Sequence, residues 1–413
     1  MKTSLALLIL SCFVLLAGDT EPRWMVLNRA AGQAGKAKDY PKLREALLAL
    51  KPLLPGNPSV IYKLAVAEAA LGETPAALAE LRNLAGMRLV YDFTAEPAFS
   101  PLRASSEFAA IVKQVDDNKK PVSHSLPAFA LAERDLIPED IAYDPKTHRF
   151  FVSSARQSKI VTSDGGASQT DFAKSPWPVL ALRIDSGRRI LWAATGWVPH
   201  CERCQDADKD RTALLAFDLD SGALKQRIDS PVPGLLGDMT ISQAGEIYVS
   251  EGTNGAVLHL PLGAKKLDRL DAAGEFPSPQ TPALSKDEKT LYVPDYVRGI
   301  AAITLSTGAV TWLKPADDVA LNGIDGLYVY RDSFLAVQNG TTPARIVRFS
   351  LDLRKQEVLE ANTPNLGEPT HGTVVGNTFY FIANSGWDEY DDRGKKKAGS
   401  APVESSVRKI VLE

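Results

Sequence analysis

The chain predicts an all-β six-bladed propeller preceded by an all-α domain, and three observations carry that prediction. The first is a repeated unit. From Asp238 the sequence runs DMTISQAGEIYVSEGTNGAVLHLPLGA, short β-rich runs broken at Gln243-Ala-Gly245 and at Gly252-Thr-Asn-Gly255. Apolar runs separated by Gly/Asn turns mark an antiparallel meander. The second observation is its recurrence: Ile141–Val161 and Ala283–Ala309 follow the same plan. The third is the period. Second strands align at Phe150, Leu191, Ile247, Leu291, Phe334 and Phe379, at separations of 41, 56, 44, 43 and 45. A period of about 40–50 residues with several strands per copy is that of a propeller, whose blades must stack because none buries both faces alone.

In chain order, residues 1–18 (MKTSLALLILSCFVLLAG) place one Lys before an apolar run from Leu5 to Ala17. That run is short for a bilayer span and suits a signal peptide. It predicts export to a periplasm or the extracellular space, with no other membrane contact. Residues 22–117 are helical by spacing, as in Leu43, Leu47, Leu50 and Ala77, Leu78, Leu81, Leu84. Two stretches beginning Asp39-Tyr-Pro and Glu73-Thr-Pro lie 34 residues apart, with Pro55-Gly-Asn-Pro58 as the joint between copies. That period resembles tetratricopeptide repeats. It implies a helical array with a groove for a protein partner, or a plain helical domain. A polar linker is expected over residues 118–126 and the propeller over 127–413. A strand at Phe129–Ala132 and another at Val407–Leu412 are expected to share one blade and close the ring. Two polar insertions, Trp197–Thr212 in blade two and one from Trp387 in blade six, belong on a rim.

Net charge is −3 over 413 residues, and no basic stripe marks a nucleic-acid surface. Lys395-Lys-Lys397 reads as a solvated loop. Three cysteines exclude a disulfide framework. Cys201 and Cys204 follow His200, the wrong order for haem attachment and too few ligands for zinc. A small disulfide-closed loop is the expected form. Asp206-x-Asp208-x-Asp210 opens like a calcium loop but has Arg211 and Phe217 where Gly and Glu are required. Asn339-Gly-Thr341 is a glycosylation sequon, relevant only in a eukaryote. No phosphate-binding Gly loop, nucleophile elbow or HExxH zinc motif is present.

Chemistry therefore belongs at the propeller mouth, where first strands from all blades begin. Those starts supply Glu139, Trp177-Pro178, Gly237-Asp238, Gln280, Asp325 with Asn322, and Thr370-His371. Glu139, Asp238, Gln280 and Asp325 form a candidate oxygen set for calcium or another divalent cation. His371 is the candidate general base.

The segments PEDIAYDP, QTPALSKDEKTLYVPDY and GIDGLYV resemble the gluconolactonase and regucalcin type of six-bladed propeller, over about Leu136 to Ser385. The resemblance implies a divalent cation at the mouth and hydrolysis of lactones or related esters. It implies as ligands a Glu in blade one, Asn residues in blades three and four, and an Asp in blade five. Glu139 and Asp325 match. Gln280 stands in place of one Asn, and Gly237 or Asp238 in place of the other. Two functions follow as expectations: a cation-dependent lactone or ester hydrolase, and a non-catalytic module binding a protein partner or small ligand.

Overall fold

The computed structural model describes residues 21–166, 168–271, 274–399 and 404–413. The predicted signal segment lies outside them. Six antiparallel sheets follow one another around an axis, one per predicted blade. Blade one is Ile141–Asp144, Arg149–Ser154, Lys159–Ser163 and Gln169–Lys174. Blade two is Val179–Asp185, Ile190–Gly196, Thr212–Asp218 and Leu224–Asp229. Blade three is Leu236–Ile241, Ile247–Glu251, Ala256–Leu260 and Asp268–Arg269. Blade four is Ala283–Leu284, Thr290–Asp295, Gly299–Thr304 and Ala309–Trp312. Blade five is Gly326–Tyr330, Ser333–Gln338, Arg345–Ser350 and Gln356–Ala361. Blade six takes Gly372–Val375, Thr378–Ile382 and Ser406–Val411 from the end of the chain and Leu126–Ala130 from before blade one.

That last pairing closes the ring, with Phe129 opposite Val407. The expected shared blade is present. The core lies between blades rather than along the axis. Phe151, Leu182, Leu191, Leu215 and Phe217 interleave blades one and two, and Val257, Leu291, Val293 and Ile303 interleave three and four. Second and third strands are thus covered on both faces, which is why they read as near-continuous apolar runs.

One device recurs at the end of the second strand. The Glu251 carboxylate accepts from the backbone N–H groups of Leu235, Thr253 and Asn254. Asp295 accepts from Ser278, Val297 and Arg298. Gln338 donates to the carbonyls of Ala320 and Asn322. Each ties the loop entering its blade to the same rim, so the start of the first strand is held where a mouth residue must stand.

The segment read as a linker is docked. Val122–Ser123 adds a fifth strand to blade five beside Ala361 and Glu360. The buried Glu360 carboxylate accepts from the N–H groups of His124 and Ser125 at 3.0 Å each. Its polar composition supplies edge pairing rather than solvation.

Among the described residues five α-helices precede it: α1 (Arg23–Lys36), α2 (Tyr40–Leu50), α3 (Pro58–Ala70), α4 (Thr74–Gly86) and α5 (Ser106–Asp117). Asp39, Asn57 and Ser105 cap α2, α3 and α5 through their side-chain oxygens. Proline occupies the first turn of α2, α3 and α4, where no N–H is missed. After α4 the chain departs from a simple second copy. A 3-10 turn, Pro97–Leu102, packs on α3 before α5 begins.

The array rests on blades four and five. Asn57 Nδ2 donates to the Val297 carbonyl at 2.9 Å, and the Leu321 and Val90 N–H groups donate to Gly56 and Thr342. Gly56 has φ +69°, and a Cβ there would lie 2.8 Å from the Val319 carbonyl oxygen. Glycine at the joint therefore serves both the turn and this close approach.

The two insertions meet on the mouth side. The His200 ring stands edge-on to Trp387 at 4.7 Å, and Arg156 lies over Tyr390 at 4.7 Å. Cys201 and Cys204 are disulfide-bonded. So short a loop is worth at most about 2 kcal/mol in chain entropy. Cys201→Ser with Cys204→Ser is expected to leave the main thermal transition within a few degrees. Loss of cooperative unfolding would contradict a purely local staple.

Candidate active site at the channel mouth

Glu139, Asp238, Asp325 and His371 converge, from blades one, three, five and six. His371 is 1% exposed. Its Nε2 lies 2.7 Å from Asp238 Oδ1 and 3.6 Å from Asp325 Oδ1. Its Nδ1 lies 3.0 Å from the Glu139 backbone carbonyl oxygen and 3.9 Å from Glu139 Oε1. Ligand atoms from Glu139, Asp325 and His371 all fall within 4.8 Å of one another.

The backbone builds this arrangement. The His371 N–H donates to the Glu139 carbonyl, locking blade six onto blade one. The Thr281 N–H donates to the Asp325 carbonyl, and its hydroxyl donates to Asp238 Oδ1 at 2.7 Å. Asn339 Nδ2 donates to Asp325 Oδ2 at 2.7 Å, and Tyr296 donates to Asn339. Trp387 Nε1 donates to Glu139 Oε2 at 2.5 Å. Beneath this layer the buried Asp140 accepts from Arg183 at 2.6 Å and from the Leu182 N–H. The Tyr328 hydroxyl accepts from the Gly372 N–H.

Electrostatics mark the cluster as under tension. Burial, then the Asp325 charge, raises Glu139 well above the ordinary carboxyl range. Burial pushes Asp325 up to about 6, with Asp238 adding to the rise and His371 opposing it. Burial works against a charged His371, but Asp238 and then Asp325 overcome it and hold the imidazolium well above its usual range. Glu368, nearby on the rim, is pushed up to about 7 by burial and Asp388. It accepts from the Asp388 N–H and the Ser385 hydroxyl.

Three expected residues therefore come together as carboxylates, and His371 joins them at the centre rather than beside them. Gln280 does not. Its side chain turns back on its own loop, donating to the Ser278 carbonyl and hydroxyl at 3.2 and 3.1 Å. Thr281, one residue later, takes the blade-four place. Trp177 does not join the cluster: it is buried in the core between blades one and two, donating to Asp208 beneath the Arg227 guanidinium. Asn322 Oδ1 is buried without a hydrogen-bond partner among the described residues. Thr281, Trp387 and Asn339 were not singled out as site residues. Asn339 heads the sequon, but both Asp325 and the Pro369 carbonyl engage its amide.

The donors fit a divalent cation. Two carboxylates, Asp238 and Asp325, flank a buried ring nitrogen that makes no well-directed hydrogen bond, and the Glu139 carboxylate lies against the other nitrogen of the same ring. An ion among them would offset charges that burial otherwise penalises.

No protein-family profile matches the chain, and no curated protein sequence matches it. Solved structures do. A calcium-binding protein, regucalcin, from Agrobacterium tumefaciens superposes with a TM-score of 0.50 at 14% identity, covering 71% of this chain and 94% of that one. A gluconolactonase from Xanthomonas campestris gives 0.48 at 14% identity, covering 71% and 99%. A luciferin-regenerating enzyme gives 0.47 at 14% identity, covering 71% and 95%. The propeller thus has the fold of regucalcin.

Proposed function

We propose that this chain is an exported, divalent-cation-dependent hydrolase of lactones or related esters. The observation that carries the reading is the convergence of Glu139, Asp238 and Asp325 from three blades at one mouth. The likeness of PEDIAYDP and GIDGLYV to gluconolactonase-type propellers supports it. So does the fold of regucalcin, described as a calcium-binding protein. Glu139, Asp238 and Asp325 would hold the cation, calcium or another divalent ion. When bound, such an ion supplies a Lewis acid for a carbonyl oxygen. Thr281 and Asn339 orient Asp238 and Asp325. Trp387 orients Glu139 and walls one side of the mouth. His371 was the expected general base, but at 1% exposure with Nδ1 on a carbonyl it sits below the reach of a substrate. Glu368, half-buried on the rim and pushed up to about 7, is better placed to take and return a proton near neutral pH. The Cys201–Cys204 disulfide supports export, since such bonds persist in oxidising compartments.

The test is hydrolysis of a panel of γ- and δ-lactones and aryl esters, followed by proton release. Turnover is expected with divalent cation, to vanish with chelator and to return on re-addition. An N-terminus beginning near residue 19 in exported protein would support secretion. A cation-loaded protein that turns over none of the panel favours the second reading, a non-catalytic binding module. That reading draws on the groove between α1 and α2, a cavity of about 650 Å3 floored by Leu27, Ala34 and Ala46, as a seat for a protein partner.

A further inference from the structure

His371 departs from an all-oxygen cation site in a way that has consequences for the ion. Its Nδ1 lies 3.0 Å from the Glu139 carbonyl oxygen, which can only accept, so Nδ1 carries a hydrogen and donates. In a singly protonated ring that leaves Nε2 as a bare lone pair. This lone pair points into a space bounded by Asp238 Oδ1 at 2.7 Å and Asp325 Oδ1 at 3.6 Å. Two acceptors cannot sit at 2.7 Å with nothing between them. Either a second proton fills the gap or a cation does. In the metal-free protein a proton can fill it, but that proton is not aimed at Asp238, because the wholly buried Nε2 makes no well-directed hydrogen bond, and a cation can take its place. Histidine that binds a metal through one nitrogen almost always donates from the other to a backbone carbonyl or carboxylate, which fixes tautomer and ring angle. His371 has that arrangement, and the backbone N–H of the same residue bonds to the same Glu139 carbonyl.

We infer that His371 Nε2 is itself a ligand of the mouth cation, with Glu139, Asp238 and Asp325, and that the site selects a nitrogen-accepting first-row ion over calcium. The inference rests on the proposed cation centre and refines it. Calcium takes six to eight oxygens and gains little from imidazole. Manganese, cobalt and zinc accept a mixed carboxylate and imidazole set, with affinity rising along the first row. Neither Gln280 nor a blade-three amide supplies the neutral oxygens that calcium would need. Thr281 spends its hydroxyl hydrogen on Asp238 and stands one bond behind the ligand shell.

The experiment uses the full chain, stripped of metal and titrated calorimetrically with Co2+, Zn2+ and Ca2+. In parallel, Cu2+-loaded protein is examined by pulsed electron paramagnetic resonance for coupling to an imidazole nitrogen. The expected result is one ion per chain, with Zn2+ and Co2+ bound roughly 100-fold or more tighter than Ca2+, and a clear nitrogen signal. His371→Asn should remove the signal and collapse that preference to within a few-fold. Equal affinity for Ca2+ and Co2+ with no nitrogen signal would overturn the inference while leaving the cation centre intact. No binding of any divalent ion by the wild type would instead sink the cation centre. If His371→Asn fails to fold, the nitrogen signal of the wild type decides alone.

Discussion

Asp325→Asn is expected to abolish tight cation binding and, in the metal-free protein, to raise stability. The two effects have one cause. Asp325 sits with Asp238 and Glu139 in a space from which water is largely excluded, and burial pushes it up to about 6. A carboxyl raised in the folded state favours folding when protonated. Its contribution is present at low pH and is lost as pH rises through about 6. At pH 8 the ionised group therefore works against the fold by on the order of 1–3 kcal/mol. Asn removes that charge, keeps the shape and can still meet Asn339. With a cation present the balance reverses, because the ion needs the carboxylate. Loss of an outer-shell partner alone typically costs 10–100-fold in metal affinity, so loss of a ligand should cost roughly 100-fold or more. Turnover should fall with it. The metal-free wild type should also melt higher at pH 5 than at pH 8. His371 adds to that trend, since a raised imidazole likewise stabilises below its folded value and ceases to above it. Thermal melts at both pH values, with and without cation, check all of this. An Asn variant less stable than wild type without metal would show that Asp325 is a structural turn residue.

The blades were legible because the propeller repeats its own grammar. All six aligned positions, Phe150 to Phe379, fall in second strands, whose two-sided burial writes an apolar run into each copy. Glu139, Asp238, Asp325 and His371 were legible for the same reason, since position in the repeat fixes position at the mouth. Gln280 failed by one residue. The first strand of blade four is only Ala283–Leu284, so little regular structure there sets the register. The N–H of Gln280 is instead taken by Pro294 and that of Thr281 by Asp325. Trp387 was hidden for a different reason. Its loop is polar by composition, and nothing local announces an indole that returns to Glu139, 248 positions away. The docked 118–126 segment was hidden because a Lys- and Ser-rich stretch looks the same whether water or Glu360 satisfies its backbone.

Arg345→Ala is expected to loosen the helical domain from the propeller. Arg345 is fully buried, and among the described residues no carboxylate pairs with it. Burial accordingly presses its guanidinium below the usual arginine range. What holds it is a set of neutral acceptors: Gln338 Oε1 and the Met87 carbonyl at 2.7 Å each, with Gln356 Oε1 at 3.4 Å. Met87 is the residue after α4, where the helix dipole leaves partial negative charge. Truncation would strand two buried acceptors at about 1–3 kcal/mol each and open a cavity. Release from the cost of a buried charge offsets part of that. A net loss of about 3 kcal/mol is expected, with faster amide exchange in α3 and α4. Arg345→Met separates the terms, since it refills the space but donates nothing, and should recover only part of the loss. The rim gives the experiment a second readout. Val90 of the helical domain donates to Thr342 on the loop that carries Asn339, the partner of Asp325. If the array braces the mouth, Arg345→Ala should also weaken cation binding several-fold, although Arg345 touches none of the ligands. Unchanged cation affinity in a variant whose helices exchange freely would mean that the array serves a partner and not the site.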